Sequence, residues 1–144
     1  MENEAGERIK MEEIFNRTLM TLPHLQFWSM YVDHIRRVNN TVTDTSGTAR
    51  QTIHQAYQVA LDHVGIDKEA GRLWQEYIQF LKSWPGTVGG SNWQDQQKMD
   101  ELRKAYQRAI CIPNQAVTAL WKEYDLFENG LNKVTVSNLV HLSL

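Results

Sequence analysis

Three copies of one short pattern, Trp28-x-x-Tyr31, Trp74-x-x-Tyr77 and Trp121-x-x-Tyr124, recur along the chain with their tryptophans 46 and 47 positions apart. A period in this range marks a repeat architecture, in which each copy is one supersecondary unit. Each copy has a companion signature, an aromatic residue followed three positions later by a small one: Phe15 and Thr18, Tyr57 and Ala60, Tyr106 and Ala109. Trp and Tyr at i and i+3 share one helix face and bury a large apolar area, while Thr or Ala lets a partner helix approach closely. One unit is therefore a helix bearing Trp and Tyr packed on a helix bearing the aromatic and the small residue. Such a hairpin leaves apolar surface uncovered until a neighbour stacks on it, which predicts an all-α fold, an α-solenoid of antiparallel helix pairs.

The rest of the sequence agrees with a helical reading. Pro23, Pro85 and Pro113 divide the chain, and between them apolar residues recur at steps of three and four. A first helix is expected over residues 7–21, with Ile14, Thr18 and Leu22 on its apolar face beside Phe15 and Leu19. A second starts at Pro23 and carries Leu25, Trp28, Tyr31, Val32 and Ile35 up to Arg36-Arg37. The polar run 39–47 reads as a loop whose Ser and Thr can cap a third helix, with Ile53, Tyr57, Ala60 and Val64 buried and Gly65 as a left-handed C-terminal cap. Asp67 is the expected N-cap of a fourth helix, whose stripe is Trp74, Tyr77, Ile78 and Leu81. The stretch 85–92, with Gly86, Gly89 and Gly90, reads as the most flexible loop. Ser91 or Asn92 can cap a fifth helix carrying Met99, Leu102, Tyr106 and Ala109. After Pro113-Asn114 a sixth holds Val117, Leu120, Trp121, Tyr124 and Phe127, and is expected to end at Asn129-Gly130.

Composition excludes several function classes. The 144 residues suit one compact domain, and 15 Lys plus Arg against 17 Asp plus Glu give a net charge of -2, with no bulk cationic field for a phosphate backbone. No stretch approaches the roughly 20 consecutive apolar residues of a membrane span, and the acidic start does not resemble a secretory signal. A soluble intracellular protein is the expectation. A single cysteine rules out an internal disulfide, and the apolar neighbours of Cys111 predict a buried, inert thiol. His24, His34, His54, His63 and His141 are scattered without metal-ligand spacing, so no metal and no cofactor are expected. Gly86-x-x-Gly89-Gly90 lacks the Lys-Ser/Thr of a phosphate-binding loop. With no nucleophile, base and orienting group at recognisable spacing, no enzyme is predicted.

The signatures Trp-x-x-Tyr and Tyr-x-Arg-Ala resemble the half-a-TPR, or HAT, repeat of RNA-processing assemblies. The longer strings Leu73-Trp74-Gln75-Glu76-Tyr77-Ile78-Gln79-Phe80, Arg103-Lys104-Ala105-Tyr106-Gln107-Arg108-Ala109-Ile110 and Leu120-Trp121-Lys122-Glu123-Tyr124-Asp125-Leu126-Phe127-Glu128 resemble the suppressor-of-forked family. The segment from Val88 to Met99 looks most like the fungal members, which belong to cleavage factor IA. The resemblance covers roughly residues 8–133. It implies a HAT array over residues 1–133 in about three helix pairs, followed by a divergent tail over 134–144. It also implies a nuclear, non-catalytic scaffold of pre-mRNA cleavage and polyadenylation, with protein subunits of that complex as partners and only indirect or weak RNA contact. The family's dimerisation repeats and its capture segment for an RNA-binding subunit lie beyond the part matched here.

The repeat residues Trp28, Tyr31, Trp74, Tyr77, Trp121 and Tyr124, with Phe15, Tyr57, Tyr106, Ala60 and Ala109, are expected to serve packing, the three repeat tryptophans on buried stripes. Trp84 and Trp93 flank the Gly-rich loop off the repeat positions and are the candidates for an exposed contact. Arg36 and Arg37, and a strip formed by Lys98, Arg103, Lys104 and Arg108, could touch RNA or an acidic partner; interleaved acidic residues favour ordinary surface charge instead. Competing readings are a HAT scaffold of splicing or ribosomal RNA processing, and a direct RNA-binding module using Arg36, Arg37, Trp84 and Trp93. Three helix pairs lie near the lower limit for a solenoid, so self-association is expected, unless a tail with Thr135 as N-cap and Val136, Leu139 and Leu142 as apolar side folds back.

Overall fold

A computed structural model describes residues 2–18 and 24–142, with side chains placed over 4–17 and 24–133. Six helices follow in order: α1 (Glu2–Thr18), α2 (His24–Val38), α3 (Thr48–Val64), α4 (Gly71–Lys82), α5 (Trp93–Ile110) and α6 (Val117–Leu142). Among the described residues there is no strand, so the expected all-α class holds. The chain forms two compact units, Met1–Asp67 and Lys68–Leu144. In the first, α2 packs on α3 and α1 touches α2; in the second, α5 packs on both α4 and α6. Leu19, Leu22 and Pro23, and the side chains of Thr18, Val136, Leu139 and Leu142, lie outside what is described.

The cores follow the helical period. In α3, Ile53, Ala56, Tyr57, Ala60, Leu61 and Val64 are buried at steps of three and four; in α4, Leu73, Trp74, Tyr77, Ile78 and Leu81 do the same. Full burial of Ala60 and Ala109 fits the close helix approach that a small residue permits.

Helix ends differ from expectation in instructive ways. Gly47, with φ 81°, stands at the N-cap of α3, and the expected serine contributes from one position earlier, the Ser46 hydroxyl accepting the Thr48 amide at 3.4 Å. The carboxylate of Asp44 takes the larger share, accepting the amides of Gly47 at 3.0 Å and Arg50 at 3.2 Å. Desolvation opposes ionisation of Asp44, but the Arg50 amide, the Ser46 hydroxyl and the amides of Gly47 and Ala49 outweigh it and hold its carboxyl below the usual range. Gly65 is right-handed, φ -62°, because its N–H still bonds the Leu61 carbonyl and continues the helix. Ala70, not Asp67, stands at the N-cap of α4. Gly71 opens that helix because a Cβ there would lie 2.8 Å from both the Cβ and the amide of Ala116. Opposite it, buried Asn114 ties the α5–α6 turn together, accepting the Ala116 amide at 2.9 Å and donating to the carbonyls of Ala109 and Ile112.

The loop between α4 and α5 is fastened rather than loose. Asn92 and Asp95 form a reciprocal capping box, and the buried Asp95 carboxylate also accepts the Thr87 amide at 2.6 Å. Lys98, also buried, donates to the carbonyls of Trp84 at 2.8 Å and Gly86 at 3.2 Å. Gly90 lies so close to the Asp95 carboxylate that a side chain there would collide with it. At the other end of the unit, α6 does not stop at Asn129-Gly130. Leu131 extends the stripe of Leu120, Tyr124 and Phe127 and is buried, so the helix continues, through Thr135, to Leu142.

Candidate interaction surface

The three repeat tryptophans sit in three different environments. Trp28 on α2 is 8% exposed and meets Phe27 and Tyr31 edge-on, at 5.3 Å and 5.5 Å between ring centres. Its face is covered by the imidazole of His63 on α3, 4.4 Å away and 26° from parallel. The Nδ1 of His63 lies 2.8 Å from the Val59 carbonyl, which sets the ring's orientation. Trp74 on α4 is 0% exposed, and the Arg108 guanidinium of α5 stands 5.2 Å from its ring centre.

Trp121 departs from the expected buried stripe: it is 53% exposed. The reason is rotational. Leu120, fully buried, takes the core position of that turn, and Tyr124 and Phe127 continue its stripe onto α5, each 5.6 Å from the Tyr106 ring. Trp121 is displaced about 100° around the helix from Leu120. Leu126, further along α6, is 73% exposed. Among the described residues, no helix covers Trp121 as α3 covers Trp28 and α5 covers Trp74.

Polar contacts fix α6 on α5 around this face. The Arg103 guanidinium grips the Glu128 carboxylate through two bonds, at 2.6 Å and 3.3 Å. The hydrogen bond from Arg103 and its charge hold the Glu128 carboxyl below the usual range against desolvation, and Glu128 in turn raises the Arg103 guanidinium. The Tyr106 hydroxyl donates to Glu123, which also pairs with Lys82 at 3.4 Å. Burial first, then the Glu123 charge and the hydrogen bond to it, push the Tyr106 phenol far up.

Two further expectations are corrected. Trp84 is 8% exposed rather than an exposed contact, because it extends the α4 stripe one step beyond Phe80 and Leu81; its ring meets that of Phe80 at 6.1 Å. That step was readable as i+4 from Phe80 and i+3 from Leu81. Cys111 is exposed, not buried, since it caps α5 on the outer side of the turn. Trp93, at the first position of α5, is 75% exposed.

The basic residues are not gathered into one strip. Arg36 donates to the Tyr57 hydroxyl at 2.9 Å and Arg37 to the Asp33 carbonyl at 3.4 Å. Lys98 of α5 is buried against the α4–α5 loop, Arg103 holds Glu128, Lys104 pairs with Glu101 at 3.5 Å, and Arg108 covers Trp74. Among the described residues there is no cluster of His, Cys, Asp and Glu able to hold a metal, and no helix long and apolar enough to cross a membrane. Of the other repeat residues, Tyr57, Tyr77 and Tyr106 are buried, and Phe15 and Tyr31 are half-buried. What the arrangement offers is an exposed tryptophan on a braced helix, which can serve as a binding contact.

The family model for suppressor of forked protein matches residues 1–141. Among curated proteins, the chain is 62% identical over 135 residues to the mRNA 3'-end-processing protein rna14 of Emericella nidulans, covering 94% of this chain and 13% of that protein. It is 60% identical over 124 residues to the mRNA 3'-end-processing protein rna-14 of Neurospora crassa, with 86% of this chain and 10% of the relative covered. The protein of the same description in Schizosaccharomyces pombe is 38% identical over 130 residues, covering 90% of this chain and 17% of its own length. The chain thus spans a small fraction of the length of these relatives.

Proposed function

The chain belongs to the suppressor of forked family, and from that membership we propose that it is a non-catalytic scaffold segment of the nuclear machinery for mRNA 3'-end processing, binding protein subunits of a cleavage and polyadenylation complex. The observation that carries this reading is Trp121 on α6, 53% exposed where the equivalent Trp28 and Trp74 are shielded. Exposed tryptophans of this kind are strong anchors at protein interfaces. The same repeat supports stacking of successive helix pairs into a solenoid. The same face supports self-association when no other helix is offered.

Direct RNA recognition is the weaker reading. Two of its four candidate residues are engaged inside the fold, Trp84 by burial and Arg36 by its bond to Tyr57. The basic side chains needed to neutralise successive phosphates are dispersed among intramolecular partners.

Affinity capture with the tagged chain from nuclear extract, followed by mass spectrometry, tests the proposal. Cleavage and polyadenylation subunits are expected, with recovery reduced for Trp121→Ala. Splicing or ribosome-assembly proteins in their place would keep the scaffold but move it to another pathway, and salt-dependent RNA binding by the purified chain would favour the RNA reading.

A further inference from the structure

The second repeat covers its tryptophan with a cation supplied from within. Arg108, two positions after the signature Tyr106, stands 5.2 Å from the Trp74 ring centre. The matching position of the first repeat, two after Tyr57, holds Val59, so α3 supplies no guanidinium at this register. Val59 is 43% exposed and lines a pocket of about 320 Å³ within the first unit, together with Phe15 of α1 and Phe27, Trp28 and Tyr31 of α2. His63 already covers one face of Trp28, and Phe27 is buried. The accessible walls are therefore Phe15 and Tyr31, both half-buried, whose rings meet at 88° with centres 6.0 Å apart and make an aromatic corner.

The pocket's electrostatics are one-sided. Glu12, one turn before Phe15 on the same face of α1, is the one carboxylate among the described lining residues, and no Lys or Arg is among them. Glu12 is exposed and, among the described residues, takes part in no ion pair. Arg8 lines a separate groove, and Arg36 is engaged by the Tyr57 hydroxyl at 2.9 Å. Aromatic faces are electronegative, so rings and carboxylate together attract a cation and repel a phosphate backbone. The volume lies at the lower end for a ligand site, which suits one long side chain rather than a bulky ligand. A guanidinium fits such walls better than an ammonium does, because it is planar and weakly hydrated, stacks on rings, and presents a fork of N–H groups to a carboxylate.

We infer that this pocket takes an arginine side chain of a partner protein, its guanidinium stacked in the Phe15–Tyr31 corner and donating to Glu12. A residue from outside thereby supplies the first repeat with what Arg108 supplies to the second. The inference rests on the scaffold reading and adds to it the place and chemistry of one contact, on the unit that does not hold Trp121.

The test titrates short blocked glycine peptides with one central side chain into the full chain, with methyl groups and indole N–H labelled. The central residue is arginine, its uncharged isostere citrulline, or trimethyl-lysine. The arginine peptide should bind in the millimolar range, with shifts centred on the Val59 methyls and the Trp28 indole, and about tenfold more tightly than the citrulline peptide. Glu12→Gln should weaken binding about threefold. Val59→Arg, which places a guanidinium at the register of Arg108, should abolish it, while Val59→Leu leaves it intact. Both positions are exposed, and unchanged thermal melting will show that the fold survives. Equal binding of the arginine and citrulline peptides, tighter binding of the trimethyl-lysine peptide, shifts confined to other residues, undiminished binding by Glu12→Gln or Val59→Arg, or no binding at millimolar peptide overturns the inference. The titration uses no processing subunit, so its failure leaves the capture result for the scaffold proposal standing.

Discussion

The His63 imidazole lies 4.4 Å from the Trp28 indole and 26° from parallel, so one aromatic face of the first unit is sealed by a histidine whose own ring is held by the Val59 carbonyl. The stack joins α3 to α2 across the helix pair, pairing the signature Trp28 with a histidine outside the repeat signature. His63→Ala should cost about 1 kcal/mol, the usual worth of such an aromatic pair. Trp28→Ala, which also removes the edge contacts to Phe27 and Tyr31, should cost about 3–5 kcal/mol. Urea unfolding of the two single variants and the double variant checks this, the coupling between them isolating the stack itself.

Lys98 is the fastening of the α4–α5 loop. Its ammonium satisfies the Trp84 and Gly86 carbonyls, and Lys98→Met, which keeps the stem but removes the donors, should destabilise the second unit by about 1–3 kcal/mol. Desolvation by burial lowers the Lys98 pKa, and the nearby Asp95 charge only partly offsets it. Since the unfolded chain then holds its proton to higher pH than the folded one, stability from this group increases as pH climbs through the depressed folded value toward the ordinary lysine value. The raised Tyr106 phenol lowers stability over the same alkaline range, so the Lys98 contribution is read as a difference: the stability gap between the native chain and Lys98→Met should widen as pH rises.

The limits of sequence reading show at the same residues. Trp28, Trp74 and the buried faces of α3, α4 and α5 were legible because burial on a helix imposes a period, and period survives in one dimension. The Asn92 cap was legible too, since Asn before a helix has a local job. Lys98 and Asp95 were not, because a charged residue on a helix reads as solvated until a loop from elsewhere closes over it. Gly65 and Gly130 misled for a related reason: glycine permits a left-handed stop but does not compel one, and Leu61 and Leu131 continue the helices. Trp121 and Trp84 exchanged their expected roles because a stripe fixes which residues lie together and leaves open which of two adjacent ones faces the neighbouring helix. As for the interaction surface, the exposed Trp121 of α6 was present in the sequence only as a third repeat copy.

Arg103 and Glu128 give the α5–α6 contact a pH dependence on the acid side. Glu128 is held below the usual carboxylate range, so its contribution is complete above the unfolded glutamate pKa and is lost as pH falls through the depressed folded value. Both side chains are partly exposed, so solvent screening limits the pair to about 0.5–1 kcal/mol. Glu128→Gln should therefore be slightly less stable than the native chain at neutral pH and converge with it in strong acid. Denaturation midpoints at a series of pH values provide the comparison, and parallel curves would show that the pair adds nothing to stability.

Trp74 and Trp121 occupy matching places in the repeat but should respond oppositely to the same truncation. Trp74 is fully buried under Arg108, so Trp74→Ala opens a cavity in the second unit and should cost about 3–5 kcal/mol. Trp121 keeps half its surface in solvent, and Trp121→Ala should cost less, about 1–3 kcal/mol, because only about half of its area is removed from water by folding. If the α6 side is a docking surface, the smaller stability effect accompanies the larger binding effect: Trp121→Ala remains folded yet loses about tenfold or more in affinity for the captured subunits, as truncation of a central interface tryptophan does. Thermal melting and quantitative capture on the same preparations separate the two quantities. A Trp121→Ala chain that is destabilised as much as Trp74→Ala would place Trp121 in the core, and one that is stable with undiminished capture would remove α6 from the interface.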